Sequence, residues 1–569
     1  MKRKLAKKNF VLPLAPILLG LLVAGPVALG LLMILLPAFG YLPAIGQETL
    51  SWQSWTALFD TQGLGQSVRL SFVAGVVTPV IALVSVILFL AATAGTALDR
   101  LIRRLVSPLL AVPHAAAAFG LAFLIAPSGF LSRLISPGLT QWQRPPDLLI
   151  INDQLGLTMM LGLVIKEIPF LLLMALAALP QLDVPRRVAM ARSLGYQPVL
   201  AWLFTVAPAL YPMIRLPLFA VIAFASATVD VGIILGPGLP ATLSVRILGW
   251  FNDPDLSMRL LAAAGALLQL MVSVLAILTW LVLEKLIAQG WQLWQASGNR
   301  SRFNRSLKMM GFTGLSVATV LLLLSVIALL INAFAGTWRF PSALPDAWTL
   351  RHWETTLTSL SGPVINTLVI SFVATVLAVI LVLAALESEQ RHGRSRFTSL
   401  WLLYVPLLVP QVAFVFGLLV FTEFMHWQPG LVLVILGHSV FVVPYVFLTL
   451  SAAYRRFDPR WAQIGLSLGA SADRVFWHIK LPMLLTSSLT AAAIGVAVSV
   501  GQFLPTQLLG AGRVPTITTE AVALASGGSR NVIAIWALMQ TLIPMVGFIL
   551  ALAIPQLIWR RRRAMRSVT

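Results

Sequence analysis

Twelve apolar runs decide what this chain can fold into. A helix crosses the hydrocarbon core of a bilayer with about 20 consecutive apolar residues. The runs fall at about 17–39, 70–94, 105–126, 155–179, 209–235, 259–285, 310–335, 364–386, 399–422, 430–452, 483–505 and 532–558. None alternates with the period of two that a barrel strand needs. With 59% hydrophobic residues, only 10% charged and a mean hydropathy of +0.91, the chain is no soluble globule. The expected fold is all-α: a polytopic membrane protein of about 12 transmembrane helices.

Charge orients these spans. The net charge of +21 would suit nucleic acid, but no soluble stretch is long enough for such a domain, and none is expected to bind it. Of the 40 lysines and arginines, 29 fall in one alternating set of loops and nine in the other, while Lys166 and Arg215 fall inside spans. Cationic loops stay in the cytoplasm, so both termini of this multi-pass protein are expected there. The first run is too long for a signal-peptide core and is read as an uncleaved anchor. The chain has no cysteine, which excludes disulfides and thiolate metal sites. Its scattered histidines suggest no metal site, and no nucleophile–base arrangement stands out; His114 reads as a packing or hydrogen-bonding residue. Trp52, Trp55, Trp250, Trp291, Trp338, Trp401 and Trp427 sit near span ends, as interfacial anchors do.

The two halves repeat each other. LAVPHAAAAFG (110–120) matches LLVPQVAFVFG (407–417), and SVRLSFVA (67–74) matches TLVISFVA (367–374). The first half carries extra residues, placed around 128–154. Equal span counts between matched anchors make this a parallel repeat. The expected division is an anchor and external loop at 1–59, a first repeat at 60–290, a linker at 291–309, a seventh span and loop at 310–359, a second repeat at 360–558, and a basic tail at 559–569.

Within each half, Ser-Leu-Gly precedes a proline by thirteen residues from the glycine: Gly195 to Pro208, and Gly469 to Pro482. Glycine adopts the left-handed conformation that ends a helix, and proline suits a first helical turn. Each stretch should therefore be a short helix, a glycine stop, a second short helix and a new span. In the second copy Trp461, Ile464 and Leu468 share helical spacing, and Ser471 is placed to cap the next helix with Asp473 in its first turn. Val475 and Ile479 form an apolar pair, with Arg474, His478 and Lys480 left to water or headgroups. Gly465, Ser467 and Ala470 would allow another protein to approach closely. The same pattern also suits an interfacial elbow with no partner.

This pattern resembles the cytoplasmic EAA loop of type I ABC-importer permeases of the MetI-like, binding-protein-dependent family. Gly469, Ile479, Leu481 and Pro482 match its second part, and in the first copy Gly195 and Pro208 do. The Glu-Ala-Ala part is degenerate, at Ala189, Met190 and Ala191 and at Gln463, Ile464 and Gly465, without the glutamate. The fused arrangement resembles the permeases of ferric-iron and thiamine importers and the YnjC-type permeases. The resemblance implies that Ala189, Ala191, Ser193, Leu194, Gly195 and Pro208, and Gln463, Gly465, Ser467, Leu468, Gly469, Ala470, Ile479, Leu481 and Pro482, form two loops coupling to two copies of a cytosolic ABC ATPase. It also implies a place in the bacterial inner membrane, an external solute-binding protein, and a thiamine-like compound or ferric iron as substrate. The chain has no GxxxxGK[ST] motif, so ATP belongs to the partner: the chain is not expected to be an enzyme and should bind no cofactor directly.

Polar residues inside spans are costly and usually face a bundle interior or water. Lys166, Glu167, Arg215 and Asp230, with Gln502 and Gln507 in the other half, are the candidates for a translocation path. Packing between helices is their alternative role. Glu423 and His426 belong to an external turn. A twelve-helix secondary transporter is the second reading of the chain, and a membrane-embedded enzyme the third.

Overall fold

Among the described residues the apolar runs are helical, some with breaks, because hydrocarbon offers backbone N–H and C=O groups no other partner. The computed structural model describes residues 12–94, 96, 110–298, 300–301, 303–392 and 398–560, the side chains of 398–401 excepted. The cationic N-terminus, residues 105–109 of the third run and most of the basic tail lie outside that set. Among the described residues ten helices are long and apolar enough to cross a membrane, and two bent pairs bring the total to twelve. The principal helices are α1 (Ala15–Ala38), α2 (Leu64–Thr93), α3 (His114–Ile125), α4 (Leu157–Ala178), α5 (Ala207–Ala227), α6 (Met258–Ala296), α7 (Asn304–Phe334), α8 (Arg351–His392), α9 (Gln411–Phe424), α10 (Leu431–Arg456), α11 (Leu485–Val500) and α12 (Arg530–Ile558). Extended pairing among the described residues is limited to the isolated bridges Leu42–Gln47 and Ala335–Trp348.

Several helices outrun their apolar segments. α6 continues to Ala296 and α8 spans 42 residues, since a helix end in water or headgroups needs no apolar stripe. Others are interrupted where a continuous span was expected. Pro113 and Pro410 stand in extended conformation immediately before α3 and α9. Proline lacks an N–H and pushes the residue before it out of helical conformation. In the second half the helices on either side of this break, 402–408 and α9, meet at 101°. The expected span at 209–235 likewise breaks after α5. Thr228 is extended, its hydroxyl donates to Asp230 Oδ1 at 3.1 Å, and a short helix restarts at Asp230–Leu235. The expected span at 483–505 breaks at 501–503 and restarts at Leu504–Gly510. Thr228 and Gln502 are 274 positions apart, the same offset as Gly195 and Gly469, so both halves break at matched positions.

The first helix of each half packs on the other half. α1 lies along α9, with α8 and α10 beside it, and α7 lies along α2 and α3. Both contacts need glycine. A Cβ at Gly417 would collide with the Gly30 carbonyl oxygen, and one at Gly120 would stand 2.7 Å from the carbonyl oxygen of Ser325. Small residues of this kind let helix backbones approach closely in lipid. Along the outside, Met271, Leu275, Leu278 and Val282 of α6 remain exposed, a surface suited to acyl chains. Trp55, expected among the anchors, is instead buried, its ring 6.1 Å from Phe39.

Candidate functional site

Two features stand out: a cavity between the halves, and a pair of helical elbows at one end of the bundle. The cavity, of about 200 Å³, opens where α3 and α9 begin, so Pro113 and His114 face it from one half and Pro410 and Gln411 from the other. Lys166 and Glu167 of α4, Asp230 and Gln502 line it too. Lys166 and Glu167 are each 4% exposed and Asp230 7%. His114 Nε2 lies 3.3 Å from Glu167 Oε1, and its ring packs 4.8 Å from Phe224. Its role is thus a hydrogen bond between α3 and α4. In the other half, Gln411 Nε2 donates to Gln502 Oε1 at 3.4 Å.

The cavity does not gather every intramembrane candidate. Gln507, one turn into the short helix Leu504–Gly510, is not among the lining residues. Arg215 is elsewhere: its Nε and Nη2 donate to the Glu284 carboxylate of α6 at 2.9 and 2.7 Å, and Tyr211 donates to the same carboxylate. Glu423, expected in an external turn, pairs with Arg259 at 3.1 Å.

The elbows have the conformation expected from glycine and proline. Helix Val184–Ser193 ends at Gly195 with φ +88°, and helix Pro459–Ser467 ends at Gly469 with φ +85°. In the first, Gly195 N–H donates to Arg192 O and Tyr196 N–H to Ala191 O; in the second, Gly469 N–H donates to Leu466 O and Ala470 N–H to Gly465 O. Both are complete Schellman motifs. Pro198–Thr205 then leads into α5 with Pro208 in its first turn, and Ala472–Val475, capped by Ser471 Oγ, leads through Pro482 into α11. Arg456 at the end of α10 donates to the Ala177 carbonyl at the end of α4 (3.3 Å), which places both elbows at the same end of the bundle.

Inside the elbows, matched positions exchange size. Gly465 is buried, and a Cβ there would stand 2.8 Å from Ile479 Cδ1 and 3.0 Å from Val475 Cγ2. Its counterpart Ala191 is buried too, and there the residues matching Val475 and Ile479 are the smaller Ala201 and Thr205. Gly465 therefore closes the elbow on itself rather than facing outward. Ala189, Ser193 and Leu194 are exposed in the first elbow, as are Gln463, Ser467 and Leu468 in the second; Ala470, Ile479, Leu481 and Pro482 are half-buried. Trp461, Ile464, Leu466, Leu468 and Trp477 make an exposed apolar face on the second elbow. The first exposes Arg186, Arg187 and Arg192 beside Met190 and Leu194.

What holds each elbow was not evident from the sequence. Lys480, expected in water or headgroups, is 5% exposed and donates to Glu387 Oε2 and Gln390 Oε1 of α8, both at 2.8 Å. Glu387 also accepts from Tyr454 and, at 2.7 Å, from Arg391 Nε, whose Nη1 reaches Asp473 Oδ1 at 2.7 Å. A buried charge persists only when paired and hydrogen-bonded, and this network meets that condition. The first elbow is instead fastened by the segment between the halves: Gln197 N–H donates to Arg300 O and Val199 N–H to Asn304 Oδ1. One sequence signal was present for the network, an Arg391 four residues after Glu387, but nothing marked Lys480 as their partner.

Comparison with known proteins identifies the family. Residues 382–564 match the family described as "Binding-protein-dependent transport system inner membrane component". The inner membrane ABC transporter permease protein YnjC of Escherichia coli K12 is 32% identical over 522 residues, covering 91% of this chain and 93% of YnjC. The permease protein PhnV of Salmonella typhimurium is 27% identical over 226 residues, 38% of this chain and 83% of its own length. The spermidine/putrescine transport system permease protein PotC homolog of Mycoplasma genitalium is 26% identical over 175 residues, 30% of this chain and 61% of its own. The chain belongs to the family of inner-membrane components of binding-protein-dependent transport systems, as an ABC transporter permease subunit.

Proposed function

We propose that this chain is a two-repeat permease whose elbows dock two copies of a separate cytosolic ATPase. Its central cavity is the path for a solute delivered by an external binding protein. The observation that carries this reading is the pair of Schellman-ended elbows, in the same register and on the same end of one bundle, each leading into a helix of the cavity wall. α5 runs from the first elbow to the break just before Asp230, and α11 from the second to the break at Gln502. A rigid elbow fixed to such a helix turns the closing of two ATPase subunits into a rotation of the cavity walls. The exposed apolar face of the second elbow and the cationic face of the first are surfaces for that contact. Their cytoplasmic placement follows from the loop cations, and puts both termini on the same side.

The test uses the full chain in proteoliposomes with its ATP-binding partner and binding protein. Gly469 has open space around its α-carbon, so Gly469→Leu changes the elbow through its backbone alone. It should abolish ATPase stimulation by the loaded binding protein and solute uptake, with the chain still inserted. Stimulation at the level of the unaltered chain by both Gly469→Leu and Gly195→Leu would overturn the docking assignment.

A further inference from the structure

We infer that the central cavity takes an organic cation, a compact solute carrying an amine, ammonium or cationic ring, with Asp230 as its counter-ion; this rests on the cavity's being the translocation path. The inference begins with the charge inventory of the walls. Among the described lining residues the acidic and basic side chains are Lys166, Glu167 and Asp230, together with the imidazole of His114. Arg215, which would have balanced the two carboxylates, is outside the cavity and committed to Glu284. Lys166 and Glu167 are neighbours on one helix and bring one formal charge of each sign to the wall. Asp230 is 93% buried by its 7% exposure, takes the Thr228 hydroxyl on Oδ1, and has no lysine or arginine within ion-pair distance among the described residues. A carboxylate held out of water in this way raises the local concentration of cations, because low-dielectric walls focus its field.

The rest of the lining agrees in chemistry. Phe170, Phe224, Phe441, Tyr445, Phe503 and Phe548 turn toward the same space. Aromatic faces carry negative potential and attract ammonium groups and cationic rings, while they gain nothing from an anion. A bare metal ion is served poorly by them, and no group of three His, Asp or Glu able to hold a metal is found among the described residues. A carboxylate with aromatic walls recognises a positive charge distributed over an organic frame.

The absence of cysteine allows a direct test. Ala497→Cys places one thiol on the cavity wall of the full chain in nanodiscs. Its rates with a trimethylammonium-bearing and a sulfonate-bearing methanethiosulfonate are each divided by the rate of that reagent with free cysteine. The cationic reagent should be favoured roughly tenfold or more. Asp230→Asn should remove that preference, and Lys166→Met should enlarge it. Equal rates, or a faster anionic reagent, on Ala497→Cys alone would overturn the cation assignment and leave the path reading standing. Protection from both reagents would show that no path opens at this wall, and both readings would fall together.

Discussion

Replacing Glu387 by leucine should unfasten the second elbow while leaving the bundle assembled. The substitution removes a carboxylate that is 3% exposed and accepts from Lys480, Arg391 and Tyr454. Arg391 keeps Asp473 and has access to water. Lys480 keeps only the neutral Gln390 oxygen for a buried ammonium. Breaking a buried pair from one side costs about 3–5 kcal/mol, so local opening of the elbow should rise roughly 10²- to 10⁴-fold, at 1.36 kcal/mol per factor of ten. Hydrogen exchange of the peptide covering 471–484 reads this directly, and the peptide covering 184–205 serves as an internal control because its fastening is different. The double variant Glu387→Leu with Lys480→Met should recover most of the protection, since an apolar pair of similar volume replaces a buried ion pair at little cost. The first half already shows the apolar solution. The residue matching Lys480 is Val206, fully buried. Unchanged exchange in Glu387→Leu, or a double variant as open as the single, would refute the claim that this pair holds the elbow. Because the pair is buried, raising salt from 0.15 to 0.5 M should alter the wild-type pattern little; surface pairs would respond.

Other outcomes follow from the same geometry. Ser471→Ala removes a capping hydroxyl and should cost about 0.5–2 kcal/mol, seen as faster exchange confined to residues after 471. Arg215→Met separates a pair that lies outside the cavity; it should leave the reagent preference at Ala497→Cys unchanged. A large loss of that preference would place Arg215 in the cavity after all. Gly417→Leu puts a side chain into the Gly30 backbone and should separate α1 from α9, measured as lost crosslinking between cysteines placed at Gly20 and Leu402, whose side chain approaches Gly20. Retained crosslinking at the wild-type level would contradict the close glycine contact.

The spans, their number and the elbows were legible because each rests on a local rule. Apolar length marks a membrane helix, and glycine and proline at fixed offsets mark the elbow whatever surrounds them. The broken spans were half legible. Pro113 and Pro410 were visible as matched residues, but the interruption after Ala227 depends on a threonine hydroxyl turning to the next carboxylate, which apolar periodicity cannot report. The charged residues were least legible. A buried Lys480 and an exposed one look alike in sequence, since its partner Glu387 lies 93 positions away. Arg215 and Lys166 likewise both sit inside apolar runs, and only the Glu284 contact separates them.

The exchange of α1 and α7 between halves also bears on how the chain is made. Gly30 leaves the ribosome 387 residues before Gly417, its packing partner. At about 5–20 residues per second, the interval is roughly 20–80 s. During that time α1 resides in the membrane with its glycine face bare, open to lipid, to the insertion machinery or to the α9 of another molecule. α1 thus spends most of the chain's synthesis without the glycine contact that seats it on α9.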